Sequence, residues 1–139
     1  MTGILIVCHR QLGDALIDCV EFILGERPDA LSALSIDLRE NAADLRTKIE
    51  KGIKQVNKGD GVLIMTDMFG GTPSNLSYAF LDEGHIEVIS GVNLPMVVKA
   101  VGLRGSKSLP ELAEHLESFG KKSISLASGI LKGHKRSQD

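Results

Sequence analysis

Gly3-Ile4-Leu5-Ile6-Val7-Cys8, followed by His9, is an apolar run of strand length that ends in a side chain suited to solvent. A strand with one wet face would alternate polar and apolar residues. An unbroken run marks a strand covered on both faces, as in a parallel sheet held between helices. Residues 3–8 therefore read as a buried strand, with His9 where it emerges. Directly downstream, Leu12, Ala15, Leu16, Cys19, Val20, Ile23 and Leu24 recur at steps of three and four, the spacing of an amphipathic helix. Gly25 is placed to stop that helix.

The same strand-then-helix alternation continues outward. Residues 31–38 form a second strand; Asn41 then caps a helix over 42–57 with Leu45, Ile49, Ile53 and Val56 on its core face. Lys58-Gly59-Asp60-Gly61 is a turn into a third strand, 61–66. Thr72 as N-cap and Pro73 as first helical residue open a helix that runs to about residue 81. Gly84 separates it from a fourth strand, 86–90, after which Gly91-Val92-Asn93 leads into a helix with Pro95 in its first turn. Residues 109–119 form a last long helix. Residues 123–127 alternate as an antiparallel edge strand would, with a helical continuation as the other reading, and 132–139 read as a solvated tail.

This order predicts one α/β domain over 1–131, a three-layer α/β/α open sheet, mostly parallel, with strand order 2-1-3-4. Open sheets of this kind bind ligands beyond the carboxyl ends of their strands. His9, Asp37, Asp67 and Asn93 all fall there, and the strand order makes His9 and Asp67 neighbours.

At 139 residues, 42% apolar and 24% charged, the chain has the size and composition of a globular domain with a real core. A net charge of -2 argues against nucleic acid or an acidic membrane surface as partner. With no Trp and 4% aromatics, a stacking platform for bases or a flavin is not expected. Cys8 and Cys19 lack metal-ligand spacing and read as buried free thiols of a reducing compartment. No targeting segment is visible, and no stretch approaches the roughly twenty apolar residues that span a bilayer. A cytoplasmic protein is expected, reaching any membrane through a partner.

The chemistry turns on His9 and Asp67. Phosphoryl transfer to histidine needs an imidazole with an exposed nitrogen lone pair, a group that fixes the tautomer, and donors for the phosphoryl oxygens. Asp67 can accept from Nδ1–H of His9 and leave Nε2 as the nucleophile, the orienting role a carboxylate plays toward histidine in a triad. Gly70 and Gly71 allow close backbone approach, and Thr72 can either cap its helix or meet a phosphoryl oxygen. No metal or other cofactor is required. Taken alone, a histidine at a strand end is more often a plain surface or core residue, and Gly-Gly-Thr-Pro is more often just a helix start. Asp37 reads as a loop residue, and His85, His115 and His134 as ordinary surface residues. Convergence of His9, Asp67 and the Thr72 segment on one face favours the functional reading.

Through these residues the chain resembles the IIA component of the mannose family of the bacterial sugar phosphotransferase system. The resemblance covers roughly residues 3–103. It is carried by Ile6-Val7-Cys8-His9 with the following Leu12-Gly13, Leu24-Gly25-Glu26, Asn41-Ala42, Asp67-Met-Phe-Gly-Gly-Thr-Pro-Ser-Asn75 and Gly91-Val-Asn-Leu-Pro-Met96. It implies a phosphotransferase of the carrier type. His9 would take phosphate from the phosphohistidine of HPr and pass it to a IIB component. Asp67 would orient the histidine, and Thr72 would stand near the phosphoryl group. It also implies a homodimer, in some members with a C-terminal strand exchanged between subunits, which 123–127 could match. Membrane contact would come only through IIC and IID partners.

Arg10 departs from the family, which usually has glycine after the active histidine; contact with solvent or a partner fits it best. Asn93 is an accessory candidate. The chain also ends without a IIB domain, so a sugar transporter and a regulatory phosphorelay without one both stay open. A phosphocarrier associated with dihydroxyacetone kinase is a related alternative, but the Gly-Gly-Thr-Pro-Ser-Asn and Gly-Val-Asn-Leu-Pro stretches suit the mannose type better. A receiver would need paired acidic residues where Cys8-His9 stands. A dinucleotide site would need a Gly-x-Gly-x-x-Gly turn, which is absent.

Overall fold

The computed structural model describes residues 1–133. Four strands, β1 (Gly3–His9), β2 (Leu31–Ile36), β3 (Val62–Thr66) and β4 (Ile86–Ser90), form one sheet in the order β2-β1-β3-β4. Every pairing is parallel, with Ile4 opposite Leu31 and Leu63, and Val62 opposite Ile86. The helices are α1 (Leu12–Leu24), α2 (Ala42–Val56), α3 (Thr72–Tyr78), α4 (Leu94–Leu103), α5 (Leu109–Lys122) and α6 (Ala127–Leu131). The open sheet with order 2-1-3-4 and helices on both faces is the architecture the strand–helix alternation predicts.

The unbroken apolar run of β1 has a direct packing reason. Ile4, Ile6 and Cys8 enter one core with Ile17 and Val20 of α1, Val97 of α4, and Leu112 and Leu116 of α5. Leu5 and Val7 enter the other, with Leu45, Ile49, Ile53 and Val56 of α2. Residues 4–8 are all fully buried. At about 1.5–3 kcal/mol for each buried aliphatic side chain, this strand anchors both layers. His9 continues the odd-numbered series, so it emerges on the α2/α3 side of the sheet.

Some details differ from expectation. The buried face of α1 is Gly13, Leu16, Ile17 and Val20, one step round from the expected stripe. Leu12, Ile23 and Leu24 are exposed, and Cys19 is exposed rather than buried. Gly13 leads because α1 crosses so near β1 and β2 that a Cβ there would stand 3.1 Å from Ala33 and 3.2 Å from Ile6. β2 stops at Ile36, before the predicted end. α3 stops at Tyr78 rather than near 81.

The expected antiparallel edge strand over 123–127 is not formed. Local helical bonds claim its backbone: Ser123 N–H donates to Gly120 and its hydroxyl to Phe119, while Leu126 C=O accepts from Gly129 and Ile130. Ser123 thus ends α5 and Leu126 begins α6, with Ile124 and Leu126 exposed between them. The tail expected over 132–139 lies, from 134 on, outside the described residues.

Candidate active site

His9 leaves β1 where its pleat points toward α3, and Asp67 is the first residue past β3. The two, 58 positions apart in sequence, meet at 2.7 Å between His9 Nδ1 and Asp67 Oδ2. The same carboxylate oxygen accepts the His9 backbone N–H at 2.9 Å, and Oδ1 accepts the Met68 N–H at 3.1 Å. An ionised carboxylate can only accept, so Nδ1 carries the hydrogen, and in the neutral imidazole the lone pair is on Nε2. The Asp67 side chain is 12% exposed and that of His9 34%, so the buried partner fixes the ring and the ring meets solvent. Burial pushes the Asp67 carboxyl up, but the backbone and ring N–H groups of His9 that donate to it outweigh that, and the net shift is downward.

The loop after Asp67 lies against this pair. A Cβ at Gly71 would come 3.1 Å from His9 Cε1, the carbon between the two ring nitrogens. A side chain there would press on the ring. Gly70 holds φ at 83°, which turns the loop back toward the sheet. Gly71, extended at φ -82° and ψ 167°, is the N-cap of α3, so the expected capping role of Thr72 is not realised. A cap residue must be non-helical, and Thr72 is already the first helical residue, which leaves its hydroxyl uncommitted.

A hydroxyl cluster that the sequence did not bring to notice holds this loop from behind. Thr66 Oγ1 lies 2.5 Å from Ser74 Oγ and donates to Ser90 Oγ at 2.8 Å. Ser74 donates to the Met68 carbonyl at 2.5 Å, and Tyr78 OH reaches Ser90 Oγ at 3.3 Å. The ends of β3 and β4, the start and end of α3, and the loop are thereby joined through groups largely shut off from water. Networks of that kind rigidify what they connect. The only hint in the sequence is a small hydroxyl residue at the end of each strand and in the first turn of α3.

The other candidates fall on either side. Asn93 caps α4, its Oδ1 accepting the Met96 N–H at 3.0 Å, and lines a groove with Phe69, Tyr78 and Ser90. Asp37 is held by Arg39 through bonds of 3.1 and 2.9 Å, which pull its pKa down to about 2. Arg10 is exposed, with φ at 50°, a left-handed conformation that costs a non-glycine residue roughly 1–2 kcal/mol. Cys8 points into the opposite core; burial first, and the charge of Asp67 second, push its thiol up to about 12. His85 lies 3.6 Å from Asp82 on an exposed turn, and His115 is an exposed residue of α5. His134 lies outside the described residues. Among the described residues, no helix is long and apolar enough to cross a membrane.

Comparison with known proteins identifies the family. The chain is 29% identical to the fructose-specific EIIA component of the phosphotransferase system of Bacillus subtilis, over 92% of this chain and 88% of that protein. It is 33% identical to the mannose-specific EIIAB component of Escherichia coli, over 73% of this chain but 32% of that longer protein. The crystal structure of phosphotransferase system component EIIA from Streptococcus agalactiae superposes with a TM-score of 0.81 at 26% identity, covering 92% of this chain and 98% of that one. The model of the EIIA-man family, described as the PTS system fructose IIA component, matches residues 3–117, and the chain belongs to that family of phosphotransferase-system IIA components.

Proposed function

We propose that the protein is a phosphocarrier of the phosphoenolpyruvate-dependent sugar phosphotransferase system, taking phosphate on His9 Nε2 from phospho-HPr and passing it to a IIB component. The observation that carries this reading is the 2.7 Å contact of His9 Nδ1 with Asp67, which holds the ring with Nε2 as the nitrogen left for the nucleophile's role. The Nε2 lone pair attacks the phosphorus of the incoming phosphohistidine. A P–N bond forms to His9 as the donor's P–N bond breaks, and its electron pair returns to the donor's ring. Asp67 keeps its hydrogen bond throughout and stabilises the positive charge that develops on the His9 ring. Thr72, with an uncommitted hydroxyl, and the backbone of Gly70 and Gly71 are the groups suited to the phosphoryl oxygens. The reverse sequence delivers the group to the acceptor, with no metal or cofactor taking part.

The reading includes a cytoplasmic homodimer that reaches the membrane only through its partners. The outer edge of β4 supports the dimer: among the described residues no strand lies beside it, only the single bridge of Asp82 with Ile86, and a groove there is lined by Val88, Ile89, Met96, Gly120 and Ile124. Sedimentation of the purified protein checks this part.

The transfer itself is tested by incubation with enzyme I, HPr and phosphoenolpyruvate, followed by mass-spectrometric mapping. An acid-labile, base-stable phosphoryl group on His9 is expected. Phosphate arriving at the normal rate on His9→Ala would overturn the assignment.

A further inference from the structure

Arg10 is a residue the fold accommodates without using. Its backbone sits in the left-handed region at φ 50°, where an L side chain is disfavoured and glycine is at ease. The conformation is pinned from the β2 side, where Ser35 Oγ–H donates to the Arg10 carbonyl and the Arg10 N–H donates to Ile36 C=O at 3.4 Å. Ala30, the other non-glycine residue with positive φ among those described, has a packing reason: it is buried, and its carbonyl accepts from Ile4 N–H and the Arg104 guanidinium. Arg10 has no such reason. Its side chain is exposed and makes no hydrogen bond or ion pair among the described residues. Glycine would serve the backbone better.

The charge environment shows what the side chain can do. The carboxylate nearest the imidazole, Asp67, is engaged by His9 and Met68. Asp37 feels Arg10 through space but is gripped by Arg39. The guanidinium therefore stands on the β2 side of the site, next in sequence to the residue that receives phosphate, with no carboxylate neutralising it directly. The apolar side chains of Leu38, Met68 and Phe69 are exposed around the same strand ends. A dianionic phosphoryl group on an approaching protein falls within the field of such a cation over roughly 8–10 Å at ordinary ionic strength.

We infer that Arg10 is the rim cation that draws the phosphorylated form of the donor protein to His9, acting on encounter rather than on the chemical step. The inference rests on the phosphocarrier reading and adds the residue that favours the charged donor over its spent form. An exposed rim charge changes association and its salt dependence, while groups at the reacting atoms change the rate at saturation.

The test compares wild type, Arg10→Gly and Arg10→Lys in phosphotransfer from phospho-HPr over a range of donor concentrations. Arg10→Gly should raise KM by about 3–10-fold at low salt and leave the rate at saturating donor within about twofold. The difference should fade by about 0.5 M salt. Arg10→Lys should retain most of the wild-type KM, and Arg10→Gly should melt higher than wild type because the strain is relieved. A KM and salt slope equal to wild type in Arg10→Gly would overturn the inference, as would a loss appearing at saturation or a lower melting temperature. If wild type takes no phosphate on His9, the phosphocarrier reading fails and this inference falls with it. A normal wild-type reaction with an indifferent Arg10→Gly sinks the inference alone.

Discussion

The two ends of the sheet treat polar side chains in opposite ways. At the amino end, Arg104 is buried, with its guanidinium donating to the carbonyls of Asp29 at 2.5 Å, Ala30 at 3.1 Å and Thr2 at 3.4 Å. Burial lowers its pKa and Asp29 opposes the shift, but three carbonyls occupy the fork and bind the chain start to the turn before β2. At the carboxyl end, one carboxylate is satisfied by His9 and Met68 while the imidazole keeps a nitrogen unspent. A polar group whose bonds all go to tying backbone segments together stabilises a fold; one with a lone pair left over, held rigid by its neighbours, can do chemistry. His85 supplies a control, since it too lies beside an aspartate, at 3.6 Å, but on an exposed turn where its Nδ1 also faces the Glu83 carbonyl at 3.1 Å.

Substitutions at the two ends should therefore separate cleanly. The largest effect is expected for His9→Ala, which should lower phosphate acceptance by at least about 10⁴-fold in a single-turnover assay, with little change in melting temperature. Asp67→Asn comes next and should slow transfer by about 10²–10⁴-fold, because the ring loses its orienting acceptor. Asp67 also carries a pH signature. Its pKa is depressed in the folded state, so its stabilising contribution is complete above the unfolded value of about 3.9 and is lost as pH falls through the folded value. Denaturant titrations should show the gap between wild type and Asp67→Asn closing below about pH 4; a gap constant from neutral to acid pH would mean that Asp67 is not held as described.

Arg104→Met should behave in the opposite sense. Leaving the three carbonyls without their donor should cost about 2–4 kcal/mol in chemical denaturation, with the transfer rate per folded molecule unchanged. A large loss of rate in a folded Arg104→Met would dissolve the division between the two ends. The smallest effect belongs to Ser90→Ala, which removes one bridge of the hydroxyl cluster. About 1 kcal/mol of stability and less than a tenfold fall in rate are expected.

What the sequence could disclose follows from the range of the forces involved. β1 was legible because burial on two faces forces an unbroken apolar run, and the alternation of strands with helices leaves few topologies. The adjacency of His9 and Asp67 followed from strand order, which is a statement about backbone. The buried face of α1 lies one step round from its apolar stripe because Leu12, Ile23 and Leu24 are apolar yet exposed, and Gly13 gives no hydrophobic signal while being buried. The hydroxyl cluster was invisible because Thr66, Ser74, Ser90 and Tyr78 are unremarkable residues until three elements, β3, α3 and β4, bring them together. Residues 123–127 carry a period that suits a strand, but period alone does not say whether a partner edge is within reach.

The unequal fates of the two cysteines have a practical use. Cys8, adjacent to the reactive histidine in sequence, faces the core with a thiol raised to about 12, whereas Cys19 stands exposed on α1. A maleimide dye at neutral pH should therefore attach to Cys19 alone. The native chain would then carry a single fluorescent tag without mutagenesis, leaving the imidazole bare for its reaction.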